Sequence, residues 1–279
     1  MLVAYLAAML VAFAVAARLA PAHPILVAAV ADVAATVVVF ASSVLLDNSS
    51  VYDPYWSVAP PFVAAYWTAR GELGLRQLVL LALILAWAVR LTVNWARRWD
   101  GPTDEDFRYR EIRGTTGRGY WPASFVSIHL MPTIWVFLGL LPLYPALAQT
   151  SALGILDGLA CLVTATAIAI ETIADEQLRR FLRSPREPGA ALASGLWARC
   201  RHPNYFGEVT FWWGLYLFGV AARPAWAWSV VGPLSITALF LSVSVPWMDR
   251  HMLARHSDWA RRAKGLPALL PWGRRGPAP

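Results

Sequence analysis

Residues 194–219 combine polar side chains with a strongly apolar, aromatic segment, and they could bind a polar ligand. Pro203 has no backbone N–H and fits the first turn of a helix, so the sequence predicts a helix that begins there. Asn204 and Glu208 are then spaced i,i+4, and Tyr205 and Glu208 are spaced i,i+3. This spacing places an amide, a phenol and a carboxylate on one helix face.

Arg201 and His202 immediately precede this helix, at the end where backbone N–H groups favour an anion. Interfacial anchoring of the two bases and a structural pairing of Glu208 would explain each residue separately. An acid within a bilayer costs about 3 kcal/mol even on the mildest scales, and here several polar groups converge at one depth. We therefore prefer a pocket that binds a polar ligand.

Two further helix ends carry polar residues at helical spacing. The end of a predicted third span and the loop after it contain Arg90, Asn94, Arg97, Arg98, Glu105, Asp106, Arg108 and Tyr109. A phosphate or ribose contact would explain this set, and so would a solvated salt-bridge loop. On a predicted fifth span, Glu171, Asp175 and Arg179 follow one another at i,i+4, with Arg183 one turn later. Solvation explains the arginines better than Glu171, which lies within apolar sequence.

The proline-rich stretch DPYWSVAPP, residues 53–61, places an acid and a phenol beside a fixed backbone. Irregular backbone at membrane depth is tolerated where it is buried or lines a cavity. We therefore expect Asp53 or Tyr55 to contact a polar atom of a substrate. An aromatic belt at the membrane interface is the alternative.

The elements that must position these residues are membrane helices, because 58% of the residues are hydrophobic and only 15% are charged. A span needs about 20 mostly apolar residues. The sequence predicts an all-α bundle of seven spans at residues 2–17, 25–46, 74–95, 123–147, 152–174, 205–222 and 226–247. The prolines of residues 51–69 predict a re-entrant or interfacial piece rather than an eighth span.

Basic residues give the orientation, since most of the 24 Lys and Arg residues lie in the segments after spans three, five and seven. Cytoplasmic loops carry such an excess, which predicts an outside N-terminus and a cytoplasmic C-terminus. The same charge attracts anionic lipid. Cys161 and Cys200 suggest neither a disulfide nor a metal site, and we find no P-loop or GxGxxG motif.

Several motifs together resemble the steroid 5-alpha-reductase C-terminal domain family, especially its bacterial members of uncharacterised function. They are DPYWSVAP, RLTVNWARRW with EDFRY, ETIADEQL, GLW with RHPNYFGE and WWG, and a final LPW, and they cover most of residues 53–272. Sterol reductases and isoprenylcysteine carboxyl methyltransferases are similar more loosely. The resemblance implies N-terminal membrane helices at 1–50, a steroid-reductase-like membrane domain at 51–272 and a flexible tail at 273–279.

The resemblance also implies a bacterial inner-membrane enzyme that holds NADPH in a cavity open to the cytoplasm, below a lipidic substrate. We expect no metal, no nucleic acid and no protein partner, with membrane lipids around the bundle. The residues expected at the cofactor are Asn94, Arg97, Arg98, Asp106, Arg108, Tyr109, Asp175, Arg179, Arg183, Trp197, Arg201, His202, Asn204, Tyr205 and Glu208. Steroid reductases have a Gln-Glu pair where this chain has Asp53-Pro54, so the cofactor half of the resemblance is better supported than a steroid substrate.

The reaction implied is hydride transfer from NADPH to an activated C=C bond, with Asp53 or Tyr55 near the carbonyl oxygen that gains negative charge. Asp53 would serve as a neutral acid if burial raises its pKa. Methyl transfer from S-adenosylmethionine to a lipidic substrate is the alternative enzyme. A non-enzymatic membrane scaffold is the third hypothesis, but it leaves the paired polar faces without a role.

Overall fold

The computed structural model describes residues 1–185, 189–256 and 259–270, leaving aside the side chain of residue 262, and this part contains helices and no strand. The helices are α1 Leu2–Arg18, α2 Pro24–Leu45, α3 Tyr55–Thr68, α4 Leu75–Ala96, α5 Phe107–Leu140, α6 Leu143–Ala148, α7 Ile155–Arg183, α8 Pro203–Ala222, α9 Pro224–Arg255 and α10 Trp259–Ala263. The predicted tail at 273–279 and most of the LPW motif lie outside the described residues.

Five of these helices, α2, α4, α5, α7 and α9, are long and apolar enough to cross a membrane. They overlap five of the predicted spans, although the fourth, 123–147, extends past the end of α5 into α6, and they indicate a multi-pass integral membrane protein. The first predicted span is α1, a shorter apolar helix of 17 residues, and the sixth is α8, a helix of 20 residues. The proline-rich piece predicted at 51–69 is mostly helical. A 3-10 turn at Ser49–Tyr52 precedes it, and the 14-residue helix α3, which has two prolines inside it, forms most of it.

Helix α8 begins at Pro203, with His202 as its N-cap, which confirms the start predicted from the proline. Its glycines let it approach α7 closely. A Cβ at Gly207 would collide with the side chain of Glu171, and one at Gly214 would collide with Thr164. Small residues at such positions bring helix backbones together in membrane bundles. This contact fixes the acids of α7 against the polar face of α8.

Aromatic side chains fill the core around that contact. Trp87 of α4 stacks on Phe211 of α8 at 4.6 Å between ring centroids, and both are fully buried. Trp212 packs edge-on against both rings and lies over Gly139 of α5, where any side chain would collide with the indole. Helices α4, α5 and α8 are thereby held at fixed distances beside the polar residues.

Candidate functional site

Arg90 of α4 is the centre of a buried polar cluster. Its guanidinium contacts Glu171 and donates a hydrogen bond of 2.9 Å to Asp175, both on α7, and lies 3.8 Å from the Glu208 carboxylate on α8. The side chains of Arg90, Glu171, Asp175 and Glu208 are 12, 2, 13 and 8% exposed. Three helices therefore meet around one arginine and three acids, where little water is present to screen the charges.

The carboxyl group of Glu208 accepts hydrogen bonds from three indole N–H groups, which belong to helices α3, α4 and α8. Its Oε1 accepts from Trp212 at 2.9 Å and from Trp56 at 3.4 Å, and its Oε2 accepts from Trp87 at 3.0 Å. Hydrogen bonds to an ionised acceptor are worth about 1.5–3 kcal/mol each. The indole donors therefore contact the carboxyl group of Glu208 on both of its oxygens.

Asp175 links the two predicted polar faces. Its Oδ2 accepts from Asn94 at 2.7 Å, and its Oδ1 accepts from Asn204 at 3.4 Å. Two acceptors in the cluster, Glu171 Oε1 and Asn204 Oδ1, are buried and receive no hydrogen bond within the described part of the chain, and Arg90 Nε is a buried donor without an acceptor there. Buried polar atoms are nearly always paired, so these atoms are available to a ligand.

A groove of about 500 Å³ lies beside the cluster, between α4 and α7. It is lined by Ala86, Val89, Arg90, Val93, Asn94, Arg97, Thr172, Asp175, Glu176 and Arg179. The guanidinium of Arg179 donates to Glu176 at 2.7 and 2.6 Å, and exposed Arg98 donates to the Asn94 carbonyl at 3.3 Å. Arg183 is exposed one turn further along α7. The groove thus has an apolar end, a basic end and a floor of paired acid and amide groups.

The predicted substrate residues occupy a separate polar region at the start of α3. Asp53 accepts a hydrogen bond of 2.6 Å from the Tyr109 hydroxyl on α5. Burial raises the pKa of Asp53 to about 6, although the bond from Tyr109 acts in the opposite direction. Tyr55 instead points toward α2, where its hydroxyl donates to Asp32 at 2.7 Å. The two residues expected to meet a substrate therefore have different partners, Tyr109 for Asp53 and Asp32 for Tyr55.

Asp106 and Arg108 pair with each other just before and within the start of α5. Arg108 donates to Asp106 from Nε at 2.8 Å and from a terminal nitrogen at 3.1 Å. Burial favours the neutral acid, yet these bonds hold the pKa of Asp106 below its ordinary value. Asp106 also caps α5 by accepting from the Arg108 backbone N–H at 2.9 Å. This pair therefore caps the start of α5 and is an ion pair without net charge.

Trp197, Arg201 and His202 do not line the groove. The Trp197 indole donates to the Ala174 carbonyl at 3.0 Å. Arg201 donates to Asp249 of α9 at 2.6 Å, and His202 Nε2 lies 2.9 Å from the other oxygen of the same carboxylate. The sequence interpretation grouped both bases with Glu208, whereas the fold directs them to a different acid on a different helix.

Tyr205 lies between the two groups. Its ring stacks on His202 at 5.1 Å between centroids and meets Phe240 edge-on at 5.0 Å. Among the predicted cofactor residues, the structure brings Asn94, Asp175, Asn204 and Glu208 into one hydrogen-bonded cluster. Of the other predicted cofactor residues, Arg97 and Arg179 line the groove. Separate contacts hold Asp106 with Arg108, Tyr109 with Asp53, and Arg201 and His202 with Asp249.

Sequence reasoning left Arg90 and Glu171 out of the expected cofactor set, although both occupied the helical stripes that it identified. The indole donors of Glu208 were also missed. Trp212 follows Glu208 at i,i+4, which is a usable signal, but Trp56 and Trp87 lie 152 and 121 residues away along the chain. No sequence spacing could identify those two.

Comparison with known proteins gives a family and one curated relative. Residues 39–263 match the family described as Protein of unknown function (DUF1295). The chain is 25% identical over 230 residues to Uncharacterized protein C594.04c of Schizosaccharomyces pombe, a match that covers 73% of this chain and 67% of that protein. No solved structure matches the chain significantly. Because the family match extends over most of the sequence, this chain belongs to the DUF1295 family of proteins of unknown function.

Proposed function

We propose that this protein is an NADPH-dependent membrane reductase that transfers hydride to an activated C=C bond, such as that of an enone, in a lipidic or steroid-like substrate. The observation that carries the proposal is the order of groups across the groove between α4 and α7. Arg97 and Arg179 lie at its basic end, and the buried cluster around Arg90 and Asp175 forms its floor. The membrane domain concerned is 51–272, a member of the steroid 5-alpha-reductase type.

Residues of the groove and of the buried cluster beneath it match the chemical groups at both ends of NADPH. Arginine recognises phosphate oxygens with two parallel hydrogen bonds, and NADPH carries a pyrophosphate and a 2′-phosphate. The buried acceptors Glu171 Oε1 and Asn204 Oδ1 need N–H or O–H donors, which a carboxamide and ribose hydroxyls supply. When bound, the cofactor supplies the hydride, and Arg97, Arg179, Asn94 and the amide of Asn204 hold and orient it.

The pair of Asp53 and Tyr109 is the best candidate to stabilise the charge that develops on the substrate carbonyl oxygen. The Tyr109 hydroxyl donates a hydrogen bond to Asp53, and a substrate oxygen beside the pair would accept that hydrogen bond instead. Tyr55 is a weaker candidate because its hydroxyl donates to Asp32. Asp53→Asn and Tyr109→Phe should each keep NADPH binding and lose turnover. Full turnover by Asp53→Asn would remove this assignment.

We further propose that the protein lies in a bacterial inner membrane and that the groove and the C-terminus face the cytoplasm. The support is the gathering of basic residues in the segments after α4, α7 and α9. The predicted set of seven spans with an outside N-terminus is not part of this proposal, because Asn48, just after α2, donates hydrogen bonds of 2.7 and 2.9 Å to the Pro102 and Asp104 carbonyls, just after α4, so the two helices end on the same side. Cysteine-scanning accessibility at exposed positions of these segments tests the orientation. Labelling from the outer side would contradict it.

The test of function is cofactor binding by the purified protein in detergent. NADPH and S-adenosylmethionine are titrated separately, with Glu208→Gln and Asn204→Ala as site variants and exposed Glu72→Gln as the matched control. We expect NADPH to bind to the wild type and to the control, and to bind at least tenfold more weakly to both site variants. NADPH binding that is unchanged in both variants would place the cofactor elsewhere.

S-adenosylmethionine-dependent methyl transfer is the second candidate, and the buried cluster gives a reason to keep it. Three carboxyl groups surround one guanidinium, and a sulfonium cation would compensate that excess of acid. This cofactor has no phosphate, however, so it offers Arg97 no anionic partner and offers nothing to replace Glu176 at Arg179. Binding of S-adenosylmethionine alone in the same titration would favour the methyltransferase and overturn the reductase.

A further inference from the structure

The groove between α4 and α7 opens on the membrane-facing side of the bundle. Within the described chain, every residue that lines it belongs to one of these two helices, and both are long and apolar enough to cross a membrane. Val89 and Val93 in its wall are 52 and 39% exposed, and Thr172 on α7 is also exposed. A valine exposed on a membrane helix faces hydrocarbon, because the bilayer core contains no water. Acyl chains therefore reach the groove from the side.

The groove changes from apolar to basic toward the end of α4, as a phospholipid does from its chains to its headgroup. Ala86, Val89 and Val93 line its apolar part, and Arg97 lies at the C-terminal end of the helix. Val89 and Arg97 are eight positions apart, which corresponds to a rise of about 12 Å along the helix. One leaflet contributes about 15 Å of hydrocarbon. Arg97 is thus at the level of lipid headgroups when Val89 is among the acyl chains.

Arg97 is the basic residue of the groove that remains available to an anion. Three arginines and two acids line the groove, so its net charge is positive. Arg90 is paired with acids of α7, and Arg179 donates to Glu176 from two nitrogens. The side chain of Arg97 is exposed and has no hydrogen bond or ion pair with another residue of the described chain. A guanidinium in this position can bind a phosphate group with two parallel hydrogen bonds.

We propose that the groove binds an anionic phospholipid, with the phosphate on Arg97 and an acyl chain along Val89 and Val93. The lipid comes from the leaflet at the C-terminal ends of α4 and α7, which is the cytoplasmic leaflet in the orientation proposed above. The groove volume of about 500 Å³ is in the range of ligand sites and takes part of the lipid. A zwitterionic phospholipid carries its own cation beside the phosphate, so it gains less from Arg97.

The bound lipid regulates the candidate site, because it uses an arginine that the cofactor also needs. This part of the inference rests on the proposed function. NADPH offers phosphates to Arg97 and polar groups to Val89 and Val93, whereas the lipid offers a phosphate to the arginine and a chain to the valines. The two ligands therefore compete for Arg97, and anionic lipid lowers the apparent affinity for NADPH.

Native mass spectrometry of the full-length protein released from detergent tests the inference. The protein is titrated with phosphatidylglycerol and, separately, with phosphatidylcholine that has the same acyl chains. We expect one phosphatidylglycerol to be retained at least fivefold more tightly than phosphatidylcholine. Arg97→Gln should weaken its retention about fivefold, which is the effect of one basic residue near an anionic surface. Val89→Trp should also weaken it by obstructing the apolar part, whereas Arg118→Gln, at an exposed position outside the groove, should not.

NADPH should displace phosphatidylglycerol from the wild type, and inorganic phosphate at the same concentration should not. Displacement by phosphate alone, equal retention of the two phospholipids, or full retention of phosphatidylglycerol by Arg97→Gln would overturn the lipid site and leave the reductase proposal standing. NADPH binding that leaves the lipid in place would overturn the competition. Retention of phosphatidylglycerol without any binding of NADPH would overturn the reductase proposal and leave the lipid site standing. The wild-type comparison of the two phospholipids does not depend on whether a variant folds.

Discussion

Replacing Arg90 with methionine is the most direct perturbation of the candidate site. The substitution leaves an extended apolar side chain and removes the guanidinium that contacts both Glu171 and Asp175. Breaking a buried ion pair by removing one partner costs about 3–5 kcal/mol, because the remaining charge is left without compensation. Arg90 is 12% exposed and its two carboxyl partners are at most 13% exposed, so solvent recovers little of this cost.

The expected loss can be measured as thermal unfolding in detergent, followed by tryptophan fluorescence. A loss of 1 kcal/mol lowers the Tm of a chain of this size by about 2 °C, so Arg90→Met should lower it by about 6–10 °C. NADPH should stabilise the wild type and fail to stabilise the variant. Adding Asp175→Asn to Arg90→Met should recover part of the loss, since it removes one of the uncompensated acids.

Arg76 provides the matched control. It forms a buried pair with Asp157, with nitrogen-to-oxygen distances of 2.6 and 2.9 Å, away from the groove. Arg76→Met should lower the Tm to a similar degree and leave the stabilisation by NADPH intact. An Arg90→Met variant with a wild-type Tm would refute the compensation of the buried acids by Arg90, and wild-type NADPH stabilisation in that variant would refute its place at the cofactor.

Two further predictions concern helix contact and pH. Gly207→Ala should cost about 1–3 kcal/mol, because its Cβ would collide with Glu171 and lie 3.0 Å from the Ala167 carbonyl oxygen. Gly158 of α7 has open space around it, so Gly158→Ala should be neutral or stabilise the protein by up to about 1 kcal/mol. Equal Tm values for Gly207→Ala and Gly158→Ala would contradict the close contact of α7 and α8. Asp53 has an ordinary pKa of 3.8, which burial raises to about 6 in the folded protein, so the folded state binds its proton more tightly. Stability should therefore fall as the pH rises from about 4 to about 6 and change little above that through this group. Asp53→Asn should flatten this part of the Tm profile, and a variant profile parallel to the wild type would contradict burial as the cause.

The local features of the candidate site were predictable from the sequence. Pro203 gave the start of α8, and the spacing of Asn204 and Glu208 gave a face that the structure does direct toward Asp175 and Arg90. These features follow from the geometry of a single helix, in which the residues at i and i+4 share a face. The five long apolar helices were predictable for a similar reason, since hydropathy and length are properties of one segment.

Partners between helices were not predictable in this way. Arg201 and His202 lie next to Asn204 in the chain, yet they bind Asp249 of α9 rather than the acids near Glu208. Tyr109 was expected at the cofactor, yet it donates to Asp53, 56 residues earlier.

The sequence by itself determined the helical membrane class, the positions of the main apolar helices and the polar stripe that each helix carries. The tertiary structure alone decided that Arg90 is the centre of the cluster and that the indoles of Trp56 and Trp87 donate to Glu208. The physical reason is that periodicity fixes which residues share a face, whereas the packing of helices decides which faces meet. That packing depends on close contacts such as Gly207 against Glu171, which arise between residues far apart in the chain.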